Sequence, residues 1–80
     1  MKVGVACFGS LRDYLPDDAH GNRIDVEVDD GATVTDVISA FGPPDRLVYM
    51  ILVNDEQAEA DHALQDGDSV TLMPAFTGGL

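Results

Sequence analysis

The sequence predicts an α+β fold in which a mixed sheet of four to five strands packs on one helix. Strand-type alternation occurs near both ends of the chain, one helical segment with clear start and stop signals lies between them, and clusters of turn-forming residues separate the segments. The 80 residues are enough for one domain but too few to enclose a deep active site.

The first part of the chain predicts two strands joined by a short helical turn. Residues 2–8 alternate as a strand does when its two faces meet different surroundings, and residues 11–15 suit one helical turn. Residues 23–28 alternate apolar with charged side chains, which is typical of a strand with one solvated face. Turn formers separate these segments.

The helix has the clearest local signals. Thr33 is placed to cap its amino end, with Asp36 three residues later as a shorter form of the capping-box acid. Gly42 suits the left-handed position after the last turn, and Pro43-Pro44 prevents continuation. The helix is therefore about two turns long. Its apolar residues recur at helical spacing and form one stripe for packing on a sheet: Val34, Val37, Ile38 and Phe41.

The second half predicts three further strands and a tail. Residues 47–53 are nearly all apolar, which predicts a central strand covered on both faces, or on one face plus a partner. Residues 57–64 predict a weak or irregular edge strand, and residues 69–73 predict the last strand. The expected organisation is a domain over residues 1–74 and a flexible tail over residues 75–80.

The tail carries the most informative feature, the pair Gly78-Gly79. Glycine has no Cβ, so two in succession form a peptide that can enter a channel too narrow for side chains. The five residues from Ala75 to Gly79 span roughly 17 Å when extended. We therefore expect the end of this chain to be inserted into another protein, with Phe76 as an aromatic anchor.

Composition and charge exclude several function classes. The net charge is −11, and such a surface repels nucleic acid and anionic membranes but attracts proteins with basic docking faces. The amino terminus enters a strand pattern without the features of a secretory signal, so we expect a cytoplasmic protein. Cys7 is the single cysteine, which rules out an internal disulfide.

Other chemically active residue types do not assemble into a site. Cys7 shares strand parity with apolar residues and is expected to be a buried thiol, whereas His20 and His62 are expected to be exposed and lack metal-ligand spacing. The acid pairs Asp17-Asp18 and Asp29-Asp30 lie in turns without the interval of a calcium loop, and no phosphate-binding loop is present. We expect the chain itself to bind no metal and no cofactor.

The order strand, strand, helix, strand, short strand, strand is that of the ubiquitin-like β-grasp, and five segments resemble the MoaD/ThiS family of prokaryotic sulfur carriers. These segments are residues 8–12 (FGSLR), 30–34 (DGATV), 51–54 (ILVN), 64–70 (LQDGDSV) and 74–79 (PAFTGG). Each motif is weak alone, but their order, their spacing and the glycine pair cover nearly the whole chain.

The resemblance implies a sulfur carrier that acts as the cosubstrate of partner enzymes. A MoeB/ThiF-like adenylyltransferase would use ATP to adenylate the carboxylate of Gly79, and a sulfur donor protein would convert it to a thiocarboxylate. The nearest type is MoaD, the non-catalytic small subunit of molybdopterin synthase, which pairs with a MoaE-like large subunit. Gly78 would keep the entry path narrow.

Two departures from the family pattern leave alternatives open. Leu80 follows Gly79, so a protease must remove it unless it was added for expression; if it stays attached, the chain is instead a β-grasp interaction module that is not activated. Pro74-Ala75 replaces the double proline of the molybdopterin type, which leaves thiazole synthesis, cysteine synthesis and RNA thiolation open.

Alternation along the last strand places some apolar side chains away from the helix, where a partner would contact them. Leu72 is expected to belong to the core instead. Arg12 is expected to meet a carboxylate of the activating enzyme or to lie in solvent. The expected partner-contact residues are Phe8, Arg12, Met73, Pro74 and Phe76.

Overall fold

The structure is a computed structural model that describes residues 1–75, apart from the side chain of Asp45. Tail residues 76–80, with Phe76, Gly78, Gly79 and Leu80, lie outside the described residues. Five strands and one α-helix are present in this part: β1 (Lys2–Cys7), β2 (Arg23–Glu27), α1 (Val34–Phe41), β3 (Met50–Val53), β4 (Glu56–Gln57) and β5 (Ser69–Met73). Two 3₁₀ helices, Gly9–Tyr14 and Asp45–Leu47, lie in the connections.

The five strands form one mixed sheet in the order β2-β1-β5-β3-β4. The β1–β5 pair is parallel and the other three pairs are antiparallel. The single helix α1 covers one face, because its apolar stripe belongs to the same buried cluster as alternate residues of β1 and β5. This architecture is the ubiquitin-like β-grasp, as predicted.

The core lies between α1 and the sheet. In β1 and β5 the residues that face α1 are almost fully buried, among them Val5, Val70 and Leu72 at 0% exposure. The alternation follows from the pleat of a strand, which turns successive side chains to opposite faces. Leu72 is thus a core residue, as predicted.

Both ends of α1 follow the predicted chemistry. The backbone N–H of Thr33 donates to Asp36 Oδ2 at 2.9 Å, and the N–H of Asp36 donates to Thr33 Oγ1 at 3.4 Å, which completes a capping box. Gly42 has φ of 86°, and its N–H donates to the carbonyl of Ile38 at 2.9 Å. The helix is eight residues long, as expected.

The prediction for residues 47–53 was wrong in extent, although the strand does lie inside the sheet with a neighbour on each side. Strand β3 begins only at Met50, and it lies fourth in the sheet beside the two-residue edge strand β4. Leu47 ends a 3₁₀ turn, in which its N–H donates to the carbonyl of Pro44 at 3.0 Å. Leu47 and Val48 pack against the core from this connection, so their apolar character reflects burial and not strand pairing.

The weak edge strand predicted over residues 57–64 is reduced to Glu56–Gln57. The following residues lie beside the amino end of α1, where carbonyls of Ala60 and His62 accept the N–H groups of Thr35 and Val34 at 2.8 and 3.1 Å. The first N–H groups of a helix lack partners within the helix. This segment supplies partners for two of them, which explains its departure from the sheet.

A hydrogen-bonded pair, Asn54 and Asp68, joins two turns at one end of the sheet. Asn54 and Asp55 both have positive φ, at 54° and 69°, as a type I′ hairpin turn requires. Asn54 Nδ2 donates to Asp68 Oδ1 at 3.0 Å, and the N–H of Gln65 donates to Asp68 Oδ2 at 2.8 Å. These bonds, led by the one from Asn54, lower the pKa of the Asp68 carboxyl below its ordinary value of 3.8.

This depressed pKa predicts a pH dependence of folding stability. Because the folded state favours the ionised carboxylate, its contribution is complete above about pH 4 and is lost as the pH falls through the lowered pKa. We expect the Asp68→Asn variant to be less stable than wild type at pH 7, by about 1 kcal/mol or less, since the pair is exposed. The difference should shrink toward pH 2 in urea unfolding, whereas the exposed control Asp61→Asn should show no such convergence.

Candidate functional site

Strand β5 is the middle strand of the sheet. Hydrogen bonds on both sides fix the position at which the chain leaves this strand, which we call the exit of β5. The N–H of Phe8, which follows β1, donates to the carbonyl of Leu72 at 3.1 Å. On the opposite side, the N–H of Tyr49, which precedes β3, donates to the carbonyl of Met73 at 2.9 Å. The chain therefore leaves the domain toward Ala75 from a fixed position between two aromatic residues.

These two aromatic residues are also the large apolar residues that the described part of the chain exposes. Phe8 is 38% exposed and Tyr49 is 70% exposed. An exposed aromatic ring contributes little to the stability of the folded state, but it offers a large rigid contact area to another protein. Because both residues border the exit of β5, a partner that receives the tail would meet them first.

The sheet face opposite α1 adds an apolar surface beside this exit. Pairing between strands places Met50 opposite Met73, Leu52 opposite Thr71, and Thr71 opposite Ala6. Residues directly opposite each other share a face. The methionines and Leu52 are only half-buried, so this strip remains accessible in the isolated chain.

We call Phe8, Tyr49, Met50, Leu52 and Met73 the exit surface. It combines apolar contact area with a defined point of chain exit, as an interface core requires.

The predicted contact residues within residues 1–75 differ in their exposure and in their position relative to the exit surface. Met73 and Phe8 both belong to the exit surface, where Met73 is half-buried and Phe8 is exposed. Pro74 is buried, so it is not presented at the surface of the isolated chain. Arg12 is exposed in the first 3₁₀ helix and lines the same surface depression as Phe8, with Gly9, Gly21 and Asn22.

Arg12 forms no ion pair with the side chains that the structure describes. The ion pairs among them have N–O distances of 3.7 and 4.0 Å and join the amino-terminal ammonium to Asp30 and Glu27. A guanidinium left without a carboxylate on so acidic a chain is suited to meet one on a partner. Its position beside Phe8 puts this charge at the rim of the exit surface.

Sequence reasoning missed Tyr49, Met50 and Leu52. All three lie in the apolar run that predicted a strand covered on both faces, or on one face plus a partner. Nothing in that run separates core residues from exposed ones. Only the register against β5 shows that Met50 and Leu52 face away from α1 and that Tyr49 borders the exit.

Cys7 is not part of a reactive site. Its side chain is 1% exposed on the α1 face of β1, and burial raises the pKa of the thiol to about 11. The predicted burial is confirmed. His20 and His62 are exposed, as expected. Among the side chains that the structure describes, no group of three or more His, Cys, Asp or Glu is arranged to hold a metal ion.

Burial of Cys7 predicts a specific chemical behaviour. The folded protein should resist a thiol reagent such as dithionitrobenzoate at pH 7, and should react fully in guanidinium. Because the folded state favours the neutral thiol, this contribution to stability is complete below the unfolded pKa of 9.0 and declines as the pH rises toward about 11. A Cys7→Ala variant should lack that alkaline decline, and rapid labelling of the folded wild type would contradict the assignment.

Similar solved structures share this architecture. SAMP1 from Haloferax volcanii is 25% identical, with a TM-score of 0.71 over 99% of this chain and 100% of that one. The same protein is also called small archaeal modifier protein 1. A Pyrococcus furiosus protein assigned as molybdopterin converting factor subunit 1 is 26% identical, with a TM-score of 0.69 over 92% of this chain and 97% of that one.

A more distant structure shares the fold alone. It is the complex of subunits 1 and 2 of the molybdopterin-converting factor from Helicobacter pylori, which matches at 21% identity and a TM-score of 0.63 over 99% of this chain and all of that one. No curated protein sequence matches this chain.

The helices of the described part of the chain are not membrane spans. Within residues 1–75, no helix has the length and apolar character needed to cross a membrane.

The family of the chain follows from two similarities. The resemblance to MoaD-type carriers is confirmed by the similarity to a molybdopterin converting factor subunit 1. The model of the Mut7-C ubiquitin family matches residues 1–78. The chain is a ubiquitin-like β-grasp protein that belongs to the Mut7-C ubiquitin family.

Proposed function

We propose that this chain is a sulfur carrier whose Gly79 carboxylate is activated by a partner enzyme and converted to a thiocarboxylate for molybdopterin biosynthesis. The observation that supports it most is the position of the β5 exit. Strand β5, which leads to Gly78-Gly79, is the middle strand of the sheet. Its last residues accept hydrogen bonds from Phe8 and Tyr49, and the exit surface surrounds the point where the chain leaves it.

The exit surface suits a carrier that must visit several partners. An enzyme that binds Phe8 and Tyr49 fixes the position at which the tail begins. The length from Ala75 to Gly79, roughly 17 Å when extended, then sets how far the carboxyl carbon of Gly79 enters that enzyme. The two glycines then keep the buried part of the tail narrow. Adenylation, sulfur transfer and sulfur donation would thus take place at the same depth in successive partners.

The chemistry belongs to the partners and to the Gly79 carboxyl group. A carboxylate is a poor electrophile, and a MoeB/ThiF-like adenylyltransferase would replace pyrophosphate of ATP with the carboxylate oxygen. The terminal sulfur of a persulfide on a donor protein would then attack the acyl carbon and expel AMP. A thiol of the donor protein would cleave the resulting acyl disulfide, which releases the thiocarboxylate and leaves a disulfide on the donor. The resulting thiocarboxylate is an ionised, soft nucleophile at neutral pH. The peptide bond to Leu80 must be cut first, which requires a protease if that residue is native.

The molybdopterin pathway is favoured by the similarity to subunit 1 of a molybdopterin converting factor at 26% identity. In the Helicobacter pylori complex such a subunit binds a second one. By analogy, a MoaE-like large subunit would cover the exit surface of this chain and receive the tail. Thiazole, cysteine and RNA thiolation pathways would use the same activated end with another acceptor.

Protein modification is a second candidate function. It is favoured by the similarity to SAMP1, called a small archaeal modifier protein, over the full length of both chains. The activation step would be the same, but an amino group of a target protein would attack the acyl carbon and form an amide. Both functions require a free Gly79 carboxylate, whereas a non-activated interaction module does not.

Intact-mass measurement tests the proposal. The chain ending at Gly79 is incubated with the adenylyltransferase of its source, ATP and a sulfur donor, and the exchange of one oxygen for sulfur is expected. The chain that retains Leu80 is the matched control and should keep its mass. Lack of exchange in the form ending at Gly79 would contradict a sulfur carrier and favour the interaction module.

The acceptor is identified in a second step. The thiocarboxylated chain is mixed with a MoaE-like large subunit and a pterin precursor, and formation of the dithiolene product with return of Gly79 to a carboxylate is expected. Transfer of the whole chain onto lysines of other proteins, detected as branched peptides in which the Gly79 carboxyl group is joined to a lysine side chain, would favour the modifier instead.

A further inference from the structure

Strand β2 forms one edge of the sheet, and the direction of its backbone groups follows from its pairing with β1. Met1 and Val28, just beyond the strand ends, exchange two hydrogen bonds of 2.8 Å each. In an antiparallel pair such exchanging positions recur at every second residue. Val26 and Ile24 therefore bond inward to β1, and the residues between them direct their backbone groups away from the sheet.

The outward groups are only partly used. The N–H of Arg23 donates to the carbonyl of His20 at 3.2 Å, and the carbonyl of Arg23 accepts from the N–H of His20 at 2.8 Å. These bonds confirm the outward direction at alternate positions and close this end of the edge. Asp25 and Glu27 direct the same groups outward, and within residues 1–75 no segment pairs with them. Two N–H donors and two carbonyl acceptors thus remain at the spacing of a strand.

The side chains beside this edge differ between the two faces. On the face opposite α1, Arg23, Asp25 and Glu27 are exposed, Lys2 lies opposite Glu27 on β1, and Asp29 and Asp30 follow β2 directly. On the α1 face, Ile24 and Val26 contact the core but stay half-buried, because no further strand covers them. An added strand would therefore meet carboxylates on one face and apolar side chains on the other.

We propose that β2 accepts an extended segment of a partner protein in which basic and apolar residues alternate. Lysine or arginine at two positions separated by one residue would lie opposite Asp25 and Glu27, and the apolar residue between them would lie opposite Val26. Its backbone would bond to the outward groups of Asp25 and Glu27. This is recognition by strand addition, and it is independent of the sulfur chemistry.

Charge and length select this occupant. A second copy of this chain is disfavoured because each molecule carries a net charge of −11, so two copies repel each other. The other sheet edge, β4, has only two residues and offers too short a template. A basic segment on β2 satisfies both the backbone and the carboxylates.

The test uses a synthetic peptide of alternating lysine and valine as the probe, titrated into isotope-labelled protein. We expect saturable NMR shifts confined to β2 and its neighbours, and slower amide exchange at Asp25 and Glu27. A peptide of alternating glutamate and valine, and a lysine–valine peptide methylated on its backbone nitrogens, should both fail to bind. Absence of β2 shifts with the lysine–valine peptide into the millimolar range overturns the proposal.

Variants separate strand addition from simple charge attraction. Asp25→Pro removes one outward N–H without touching an inward bond, a change that edge strands tolerate, and it should weaken binding by about tenfold. Asp25→Lys with Glu27→Lys keeps the backbone but reverses both charges, and should weaken binding by about tenfold or more. Glu56→Lys with Glu59→Lys makes the same charge change away from β2 and should leave binding nearly unchanged.

Three outcomes contradict the proposal. Equal weakening by the two charge-reversed pairs would show attraction to net charge alone. Unchanged binding in the folded Asp25→Pro variant, with its fold checked by its NMR spectrum, would show that the outward N–H is not used. A concentration-dependent dimer of the chain, broken by Asp25→Pro, would show that a second copy occupies the edge.

Discussion

The Leu72→Ala variant is expected to lose about 2–5 kcal/mol of unfolding free energy, since Leu72 is 0% exposed at the centre of the sheet and its truncation leaves a cavity. At roughly 0.05–0.15 kcal/mol per residue, a domain of this size has only about 4–12 kcal/mol in total. Urea unfolding followed by circular dichroism should therefore show a much lower midpoint, or an unfolded protein.

The neighbouring residue provides a matched control. Met73 is half-buried on the opposite face of β5, so Met73→Ala should cost about 1 kcal/mol or less in stability. The same change should weaken binding to the activating enzyme, because Met73 belongs to the exit surface. Similar stability losses in the two variants would contradict the assignment of Leu72 to the core and of Met73 to the opposite face.

The double variant Phe8→Ala, Tyr49→Ala is expected to weaken binding to the activating enzyme by about 2 kcal/mol or more, which is roughly thirtyfold in Kd. The reason is the loss of two aromatic contacts that border the exit of β5. Binding is measured by calorimetry with the adenylyltransferase and the chain ending at Gly79. Because Tyr49 is 70% exposed, its loss should affect folding far less than binding.

A control with equal charge separates this effect from general surface change. Ser39 on α1 and Gln65 are exposed and lie outside the exit surface, so Ser39→Ala with Gln65→Ala should leave Kd within about twofold of wild type. If the aromatic double variant binds as tightly as this control, Phe8 and Tyr49 are not contact residues, and the tail alone must carry recognition.

The sequence was sufficient for the β-grasp and for the helix because those signals are local. Thr33, Asp36 and Gly42 act within one turn of the helix ends, and the capping box and left-handed glycine are both present. Alternation likewise separated the core face of β1 and β5 from the other face, since a period of two identifies faces without knowledge of the neighbouring strand.

The errors arose where non-local pairing decides the structure. An apolar run predicts burial, and Leu47 and Val48 are partly buried, but from a connection beside Pro44 and not from a strand. Residues 57–64 carry no local sign that their carbonyls accept the first N–H groups of α1. Tyr49 was missed for the same reason, because its place beside the chain exit follows only from the pairing of β3 with β5.

The candidate site was predictable in part. The glycine pair and Phe8 were singled out from sequence, and Phe8 does border the exit of β5. Pro74 was expected to contact partners but is buried, because the chain stays packed for one residue beyond the strand. The contact roles themselves, and those of Phe76, Gly78 and Gly79 outside the described residues, stay predictions.

Activation of Gly79 is tested most directly by ATP–pyrophosphate exchange, which reports formation of the acyl adenylate before any sulfur is transferred. With the adenylyltransferase of the same source, labelled pyrophosphate should enter ATP only when the chain ending at Gly79 is present, and the chain that retains Leu80 should be inactive. Exchange that is absent with the form ending at Gly79, or equally fast with the form that retains Leu80, would contradict a carrier activated at its terminal glycine.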